Sequence, residues 1–301
     1  MSDAPFFSII TPNYNNEPYL EACLRSVARQ KFTDFEHIVC NDASPNRAQG
    51  RSFKDILNET RRAYPDYKTK TVVIDNSRNQ GVSRTRNAAI DKARGTFLVF
   101  LDGDDYLQPD FLQNLYTELQ EYRSQWSQTV FNLYRIESFD STSGQLNPQP
   151  LVAQKPRRPT IATELVFFSV TNPAMILARE FLGSIRYEPG IQFGEEPDLI
   201  FKLWARQREQ NQAFLIQPLQ AKGYRYRQHE AQYSTLHPEH EFENYRRLFA
   251  TFARYPLSYR QKTLLSLAKS RYALYAKKTR SARLQGKVLT LLAKVSAGWW
   301  F

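Results

Sequence analysis

Three aspartates stand together at the end of an apolar run, in the segment FLDGDD at residues 100–105. Asp102, Asp104 and Asp105 would repel one another unless a cation neutralised them, and hard divalent metals such as Mg²⁺ or Mn²⁺ take oxygen ligands of this kind. An ordinary acidic turn is the alternative, because Asp and Gly are common in turns. The position of the cluster directly after a hydrophobic strand favours a metal site.

A basic segment, NQGVSRTRNAAIDKARG at residues 79–95, carries the second candidate site. It places Ser83, Arg84 and Arg86 at the start of a predicted helix, where free backbone N–H groups and the helix dipole favour an anion. The forked guanidinium of Arg84 is suited to bind a phosphate. The alternative is a solvated helix face. We favour the anion site, because metal and phosphate sites would then be adjacent.

Strand-like and helix-like segments alternate around these motifs. Strands are predicted at residues 6–11, 35–40, 71–74 and 96–101. Helices are predicted from Asn16, at residues 53–63, and from Ser83 as N-cap to near Gly95. This alternation with short loops predicts an α/β fold, with a mostly parallel central sheet flanked by helices on both faces.

Polar residues follow three of the predicted strands at the point where each strand ends. They are residues 11–15 after the first strand, Asn41 and Asp42 after the second, and residues 102–105 after the fourth. Ligands of parallel α/β sheets bind outside the carboxyl ends of the strands. We therefore expect these three loops to converge on one binding site.

The pattern changes from about Trp126 onward. Strands are predicted at residues 130–135, 174–177, 213–218 and 223–227, and a polar, proline-containing loop at residues 141–159. This half is predicted to be α+β structure that packs on the same sheet and is not an independent module.

The net charge of +11 is concentrated at the end of the chain. Residues 244–301 contain 13 Lys and Arg and no Asp or Glu, which leaves 28 basic and 30 acidic residues in the rest. The near-neutral body argues against a nucleic-acid-binding protein.

Helix-period apolar stripes between basic residues predict an amphipathic helical C-terminal extension, residues 241–301. It would lie on an anionic membrane, pack on a partner or second subunit, or simply complete the fold.

The cysteines and the N-terminus indicate the cellular compartment. Cys23 and Cys40 lack CxxC spacing, so neither a disulfide framework nor a cysteine zinc site is supported. The N-terminus lacks the features of a signal peptide, and no apolar stretch reaches the roughly 18 residues that span a bilayer. We expect a cytoplasmic protein, held by its extension peripherally on the inner face of the cell membrane if the extension binds lipid.

Four motifs together resemble a known family. TPNYN, NDAS, NQGVSRTRN and FLDGDD, in this order and spacing, are similar to the inverting family 2 glycosyltransferases of GT-A fold. The resemblance covers roughly residues 6–235. It implies a catalytic domain at residues 1–240, with a nucleotide-binding half at residues 1–125 and an acceptor-binding half at residues 126–240. It also implies metal-dependent transfer from a nucleotide-sugar, by family habit a UDP-sugar, to a hydroxyl of a glycan or lipid-linked glycan in bacterial surface polysaccharide assembly.

The resemblance implies a donor site along the same edge of the sheet. Its base pocket would include Thr11, Pro12, Tyr14 and Asn15, with Asp42 hydrogen-bonding the base. Arg84 would approach the diphosphate. Asp104 would ligate the metal ion, Mn²⁺ or Mg²⁺. Asp102 would face the ribose or sugar, or would ligate the same ion. Asp105 is a further neighbour of the ion, because family members differ over which aspartate of the cluster touches it.

Two later segments resemble the family's remaining motifs. FGEEPDLIFKLW, residues 193–204, places Glu196 where the family's catalytic base is usually Asp, with Glu195 or Asp198 as alternatives. YRYRQHEAQYS, residues 224–234, implies that His229 ligates the metal or contacts the diphosphate, with Arg227 in support. The alternative for the acids is that they only interact favourably with the helix dipole. The alternative for His229 is an ordinary surface or core histidine.

Two other functions fit parts of the sequence. A sugar-nucleotide nucleotidyltransferase would share the α/β sheet, but it would normally show a Gly-rich phosphate loop, and residues 1–50 contain only Gly50. A nucleic-acid-binding protein would act through the basic extension. The oligomeric state stays open.

Overall fold

The structure, a computed structural model, describes residues 4–133, 136–147, 175–191 and 195–230, together with residues 232, 250 and 266. The strands are β1 Phe7–Asn13, β2 Phe35–Asn41, β3 Thr71–Asp75, β4 Phe97–Phe100, β5 Tyr106–Leu107, β6 Thr129–Leu133, β7 Glu137–Asp140, β8 Met175–Ala178, β9 Leu215–Leu219 and β10 Tyr224–Gln228. The helices are α1 Glu17–Ala28, α2 Phe53–Ala63, α3 Pro65–Lys70, α4 Val82–Lys92, α5 Phe111–Gln120, α6 Arg179–Leu182 and α7 Glu195–Glu209, with a 3₁₀ helix at Arg123–Gln128.

The main sheet has the strand order β3-β2-β1-β4-β8-β6-β9 among the described strands. The pairs β2–β3, β1–β2 and β1–β4 are parallel, as is β6–β9. β8 runs antiparallel to both of its neighbours. The predicted α/β fold with a mostly parallel sheet is therefore confirmed, and strands from the second half of the chain extend this sheet.

The register brings the carboxyl ends of the first three strands side by side. Asn13 of β1 pairs with Asn41 of β2, and Asn41 pairs with Asp75 of β3. All four residues of β4 are buried, as expected for a parallel strand covered on both faces. The polar loops that follow β1, β2 and β4 thus meet at one edge of the sheet.

A second sheet, ordered β5-β10-β7, lies outside the main one. The expectation that residues 223–227 pack on the same sheet as the other strands is wrong for β10. β5 follows the acidic turn at once, and β10 pairs antiparallel with it, Arg225 opposite Tyr106. This pairing carries the segment after β10 to the acidic turn.

Helix α4 begins two residues earlier than the sequence indicates. Gly81 occupies the N-cap at φ 85°, a conformation that glycine adopts without steric cost. Ser83 is therefore inside the first turn and is not the N-cap. Its hydroxyl donates instead to the carbonyl of Ile191, at 2.6 Å.

The chain passes very close to β1 where β4 begins. A Cβ atom at Gly95 would lie 2.5 Å from the backbone nitrogen of Ser8 and 2.7 Å from the carbonyl carbon of Phe7. Only glycine fits this position without a shift of the backbone. The Gly95 N–H donates to the Ser8 hydroxyl at 2.8 Å, which fixes β4 beside β1.

Some predicted segments lie outside the described residues. They include residues 148–159 of the predicted loop, residues 134–135 of the strand predicted at 130–135, and the C-terminal extension apart from residues 250 and 266. No helix within the described residues is long and apolar enough to cross a membrane.

Candidate active site

The three clustered aspartates contact three different sets of partners. Asp102 binds Arg86, Asp104 faces His229, and Asp105 accepts hydrogen bonds from Tyr224 and from the backbone of Arg227. The protein itself therefore compensates part of the repulsion between the three carboxylates.

Arg86 is a buried cation between two carboxylates. Its Nη2 donates to Oδ1 of Asp102 at 2.7 Å, and its Nη1 contacts Oε1 of Glu195. Burial alone would lower the pKa of Arg86, but Asp102 and Glu195 raise it above its ordinary value, so the guanidinium stays charged. Burial raises the pKa of Asp102, and Arg86 opposes that rise. Arg86 thus connects the acidic turn to the first turn of α7.

Asp104 and His229 face each other across a short gap. Oδ2 of Asp104 lies 3.0 Å from Nε2 of His229, and the two side chains are 16% and 4% exposed. They are 125 residues apart in the chain. The pairing of β10 with β5 brings these two predicted metal ligands together.

The side chains of Asp104 and His229 are suited to bind a divalent ion that a substrate also binds. Within the described residues, no group of three or more His, Cys, Asp or Glu side chains is arranged to hold a metal. Asp104 and His229 offer one carboxylate and one imidazole, both ligand types that Mn²⁺ accepts. A set of two protein ligands suits an ion that also binds phosphate oxygens and water. Asp102, the third predicted ligand, has its Oδ1 on Arg86, which leaves Oδ2 for an ion or a sugar hydroxyl.

Asp105 has a structural position. It is completely buried, and it accepts from the Tyr224 hydroxyl and from the Arg227 backbone N–H, each at 2.8 Å. Burial, reinforced by Asp104 and Asp102, raises the pKa of Asp105. Its carboxyl group therefore holds β10 against the acidic turn.

Thr11 lies inside the protein and not at the rim. Its side chain is fully buried, and its hydroxyl is 2.8 Å from Nε2 of His37, whose Nδ1 is 2.8 Å from the Tyr67 hydroxyl. Residues on both faces of β1 are buried, as in a parallel strand covered by helices. The contact of Thr11 with a nucleotide base stays a prediction, and its observed contact is with His37.

The residues after Thr11 do reach the surface. Pro12 is half-buried, Asn15 is exposed, and the Tyr14 ring is 44% exposed. Asn15 has a positive φ of 61°, and its backbone N–H donates to the Ser44 hydroxyl at 2.9 Å. This contact joins the loops after β1 and β2 into one rim with an accessible aromatic face.

Asp42 organises the loop that leads into α4. Its Oδ1 accepts from the side chain of Asn76 at 2.8 Å and from the backbone of Gln80 at 2.9 Å, and its Oδ2 accepts from the backbone of Gly81 at 2.9 Å. The side chain is buried. Its contact with a nucleotide base stays a prediction, and its observed role is to join β2 to the start of α4.

Arg84 and Arg86 lie on different faces of α4. The Arg84 side chain is exposed, whereas Arg86 is 3% exposed. The first turn of α4 therefore offers Arg84 to solvent, where it can approach an anion. The sequence did not distinguish Arg86 as the residue that binds the acidic turn.

The three candidate bases differ in exposure. Glu195 is buried against Arg86, and Asp198 is completely buried with Lys202 Nζ 2.7 Å from its Oδ2. Burial raises the pKa of Asp198. Glu196 is half-buried, in the first turn of α7. Of the three residues, Glu196 is therefore the most exposed.

Helix α4 also fixes the segment that leads to these acids. The side chain of Asn87 donates to the carbonyl of Tyr187 and accepts from its N–H, both at 2.9 Å. These bonds and the Ser83–Ile191 bond hold the chain before α7 against α4.

The functional residues that the sequence reasoning missed are Arg86, Asn87 and Tyr224. A signal for the first two was present, because Ser83, Arg86, Asn87 and Ile90 lie on one helix face.

With this geometry established, comparison with known proteins identifies the class. The family described as Glycosyl transferase family 2 matches residues 8–178, more than half of the chain. The chain belongs to this family, and its fold is the GT-A fold of the solved neighbours. This membership favours glycosyl transfer over the nucleotidyltransferase and nucleic-acid-binding alternatives.

Two curated relatives illustrate the likeness. The chain is 37% identical over 117 residues to the uncharacterized glycosyltransferase EpsJ of Bacillus subtilis, which is 39% of this chain and 31% of EpsJ. It is 31% identical over 122 residues to the poly(ribitol-phosphate) beta-N-acetylglucosaminyltransferase TarS of Staphylococcus aureus, which is 39% of this chain and 19% of TarS. The matches thus span about a third or less of these relatives' own lengths.

Solved structures share the fold over nearly the whole chain. TarS residues 1–349 in complex with UDP-GlcNAc align with a TM-score of 0.64 and 21% identity, covering 95% of this chain and 79% of that one. A mannosyltransferase from Pyrobaculum calidifontis in complex with GDP-Man and Mn²⁺ aligns with a TM-score of 0.60 and 14% identity, covering 99% and 88%. At these identities the likeness shows the fold alone.

Proposed function

We propose that this protein transfers a sugar from a nucleotide-diphosphate sugar, with a UDP-sugar as its donor, to a hydroxyl of a glycan or lipid-linked glycan in bacterial surface polysaccharide assembly. Family membership supports the reaction class. The observation that carries the proposal is the chain of contacts Asp102–Arg86–Glu195, which joins the acidic turn to the helix bearing the candidate base.

The donor would lie along the edge formed by the loops after β1, β2 and β4. Tyr14 offers an exposed ring to the base, beside Pro12 and Asn15, and Asp42 shapes the wall behind it. Arg84 at the start of α4 would face the diphosphate, where the helix N-terminus also favours an anion. The UDP form of the donor is supported by TarS, whose structure is a complex with UDP-GlcNAc.

Asp104 and His229 would hold the divalent ion, Mn²⁺ or Mg²⁺, with the second oxygen of Asp102 beside them. When bound, the ion supplies electrostatic stabilisation to the leaving diphosphate. The mannosyltransferase of the same fold, in complex with GDP-Man and Mn²⁺, supports this assignment. Arg84 would supply positive charge to the same leaving group.

Transfer would proceed by a single displacement with inversion. Glu196 would accept the proton of the acceptor hydroxyl while its oxygen forms a bond to the anomeric carbon. The bond between that carbon and the diphosphate oxygen breaks on the opposite face, and the electron pair leaves with the nucleotide diphosphate. Arg86 holds Glu195 and thereby fixes the turn that carries Glu196.

The acceptor would approach from the α7 side of the site. A lipid-linked glycan would suit a protein held on the inner face of the membrane by its basic extension, residues 241–301. TarS, by its name a poly(ribitol-phosphate) beta-N-acetylglucosaminyltransferase, supports a polymer as the acceptor.

A donor screen tests the proposal directly. Thermal unfolding is measured with UDP-, GDP- and dTDP-sugars, each with and without Mn²⁺, because a ligand that binds the native state raises the melting temperature. We expect a UDP-sugar with Mn²⁺ to give the largest shift, and Asp104→Asn to remove the part that depends on Mn²⁺. No shift with any nucleotide-sugar would contradict the proposal. An equal shift in the Asp104 variant would remove the metal from it.

A further inference from the structure

Tyr19 packs against both residues that approach the acidic turn from β10. The centroid of its ring lies 4.5 Å from that of the His229 imidazole. The Cζ atom of Arg227 lies 4.7 Å from the Tyr19 centroid, within the range of a cation–π contact. Tyr19 is half-buried in the first turn of α1, directly after the loop that follows β1.

Arg227 contacts two aromatic rings. Its Cζ is 4.7 Å from the centroid of Phe139, the same distance as from Tyr19. Its Nε donates to the backbone carbonyl of Asp104 at 2.7 Å. These two ring contacts therefore restrain a side chain that in turn binds the backbone of Asp104.

His229 depends on packing for its orientation. A histidine that ligates a metal usually donates its second ring nitrogen to an acceptor, which fixes the ring. Nδ1 of His229 is buried and has no hydrogen-bond partner among the described residues. The ring of Tyr19 therefore adds a restraint on the imidazole to the one that Asp104 exerts at Nε2.

We propose that Tyr19 is a positioning residue that orients His229, and through Arg227 the backbone of Asp104, for binding of the divalent ion. The inference rests on the proposed function, because it takes Asp104 and His229 as the residues that hold the ion. The aromatic face of Tyr19 carries this role, so phenylalanine should replace it and leucine should not.

Direct binding of Mn²⁺ in the presence of UDP, measured by electron paramagnetic resonance, tests the inference without turnover. Tyr19→Leu should weaken Mn²⁺ binding by about tenfold, the lower end of the effect of residues that orient metal ligands. Tyr19→Phe should bind Mn²⁺ as the wild type does. Phe139→Leu is the matched control, because it removes one of the two ring contacts of Arg227 and leaves the contact between Tyr19 and His229 intact. It should weaken Mn²⁺ binding less than Tyr19→Leu does.

A double-mutant cycle separates positioning from general damage to the fold. In a His229→Gln background, Tyr19→Leu should cause a smaller further loss of Mn²⁺ affinity than it causes in the wild type, because only its contact with Arg227 is left to lose. Full additivity, or Mn²⁺ binding by Tyr19→Leu equal to that of the wild type, would overturn the role of Tyr19. Should Tyr19→Leu not fold, Tyr19→Met takes its place in the same cycle. Failure of wild-type protein with UDP to bind Mn²⁺ would instead reject the metal site of the proposed function.

Discussion

The guanidinium of Arg86 donates to Asp102 at 2.7 Å, with only 4% of the arginine side chain exposed. The same guanidinium contacts Glu195 in the first turn of α7. One buried cation therefore serves two carboxylates that belong to different parts of the candidate site.

Removal of this cation should destabilise the protein. Arg86→Met leaves two largely buried carboxylates without their partner, and we expect the free energy of unfolding to fall by about 3 kcal/mol. Arg84→Met, on the exposed face of the same helix, should change stability by less than about 0.5 kcal/mol. Urea unfolding of both variants gives the comparison. Equal stabilities would contradict the structural role of Arg86.

A raised KM for the donor in Arg84→Met would support the proposed contact of Arg84 with the diphosphate.

The candidate bases can be separated by isosteric substitution. Glu196→Gln should lower kcat by at least about a hundredfold, as expected for loss of a general base, while Mn²⁺ and donor binding persist. Glu195→Gln and Asp198→Asn should act mainly on stability, because their side chains are buried against Arg86 and Lys202. The measurement is single-turnover transfer together with the melting temperature. Unchanged turnover in Glu196→Gln would move the base to Glu195 or Asp198.

His37 should make stability fall in acid. Burial lowers the pKa of His37 to about 3, from an ordinary value of 6.5. Between these two values the unfolded chain binds a proton that the folded protein does not, so stability decreases as the pH falls, by about 1.4 kcal/mol per unit. From pH 7 to pH 5 the wild type should lose about 2 kcal/mol more than His37→Gln. Chemical unfolding at both pH values measures this difference, and identical pH dependences would refute it.

The close approach at Gly95 should not tolerate a methyl group. Gly95→Ala would place a Cβ 2.5 Å from the Ser8 backbone nitrogen, and overpacking of this kind costs about 1–3 kcal/mol or more. Gly144→Ala is the control, because Gly144 has a positive φ of 68° and no atom within 4 Å of the added Cβ. It should show only the cost of backbone strain, about 1 kcal/mol. If Gly95→Ala unfolds at the same urea concentration as the control, the packing argument fails.

The basic extension gives a test of membrane contact. We expect the full chain to sediment with anionic liposomes, and a chain that lacks residues 260–301 to stay in the supernatant at the same ionic strength. Raised salt should release the full chain, because the attraction of exposed charges is screened. Equal sedimentation of both chains would exclude a lipid-binding role for the extension.

Much of the fold followed from local patterns in the sequence. The predicted ends of β1 to β4 lie within about two residues of the observed ones, because short β-branched and aromatic runs between turn residues define such strands. The place of β10 did not follow, since its pairing with β5 joins residues that are far apart in sequence. Local patterns carry no information about such a partner.

The sequence predicted the residue types of the candidate site better than the contacts between them. The motif predicted a diphosphate contact for Arg84 and no separate role for Arg86, whereas the burial of Arg86 on α4 places it against Asp102. Thr11 illustrates the converse, because its place in a polar motif suggested a position at the rim, whereas both faces of β1 are buried and its hydroxyl lies beside His37. Both outcomes depend on which face an element buries, and that is settled by tertiary packing.

The pairing of Tyr224 with Asp105 joins residues 119 positions apart in the chain. During synthesis the acidic turn leaves the ribosome long before β10 does, so a growing chain carries Asp104 without its histidine. Closure of so long a loop is also entropically unfavourable until the intervening strands have formed. The capacity to bind an activated sugar should therefore arise late in folding, and incomplete chains should not sequester the donor.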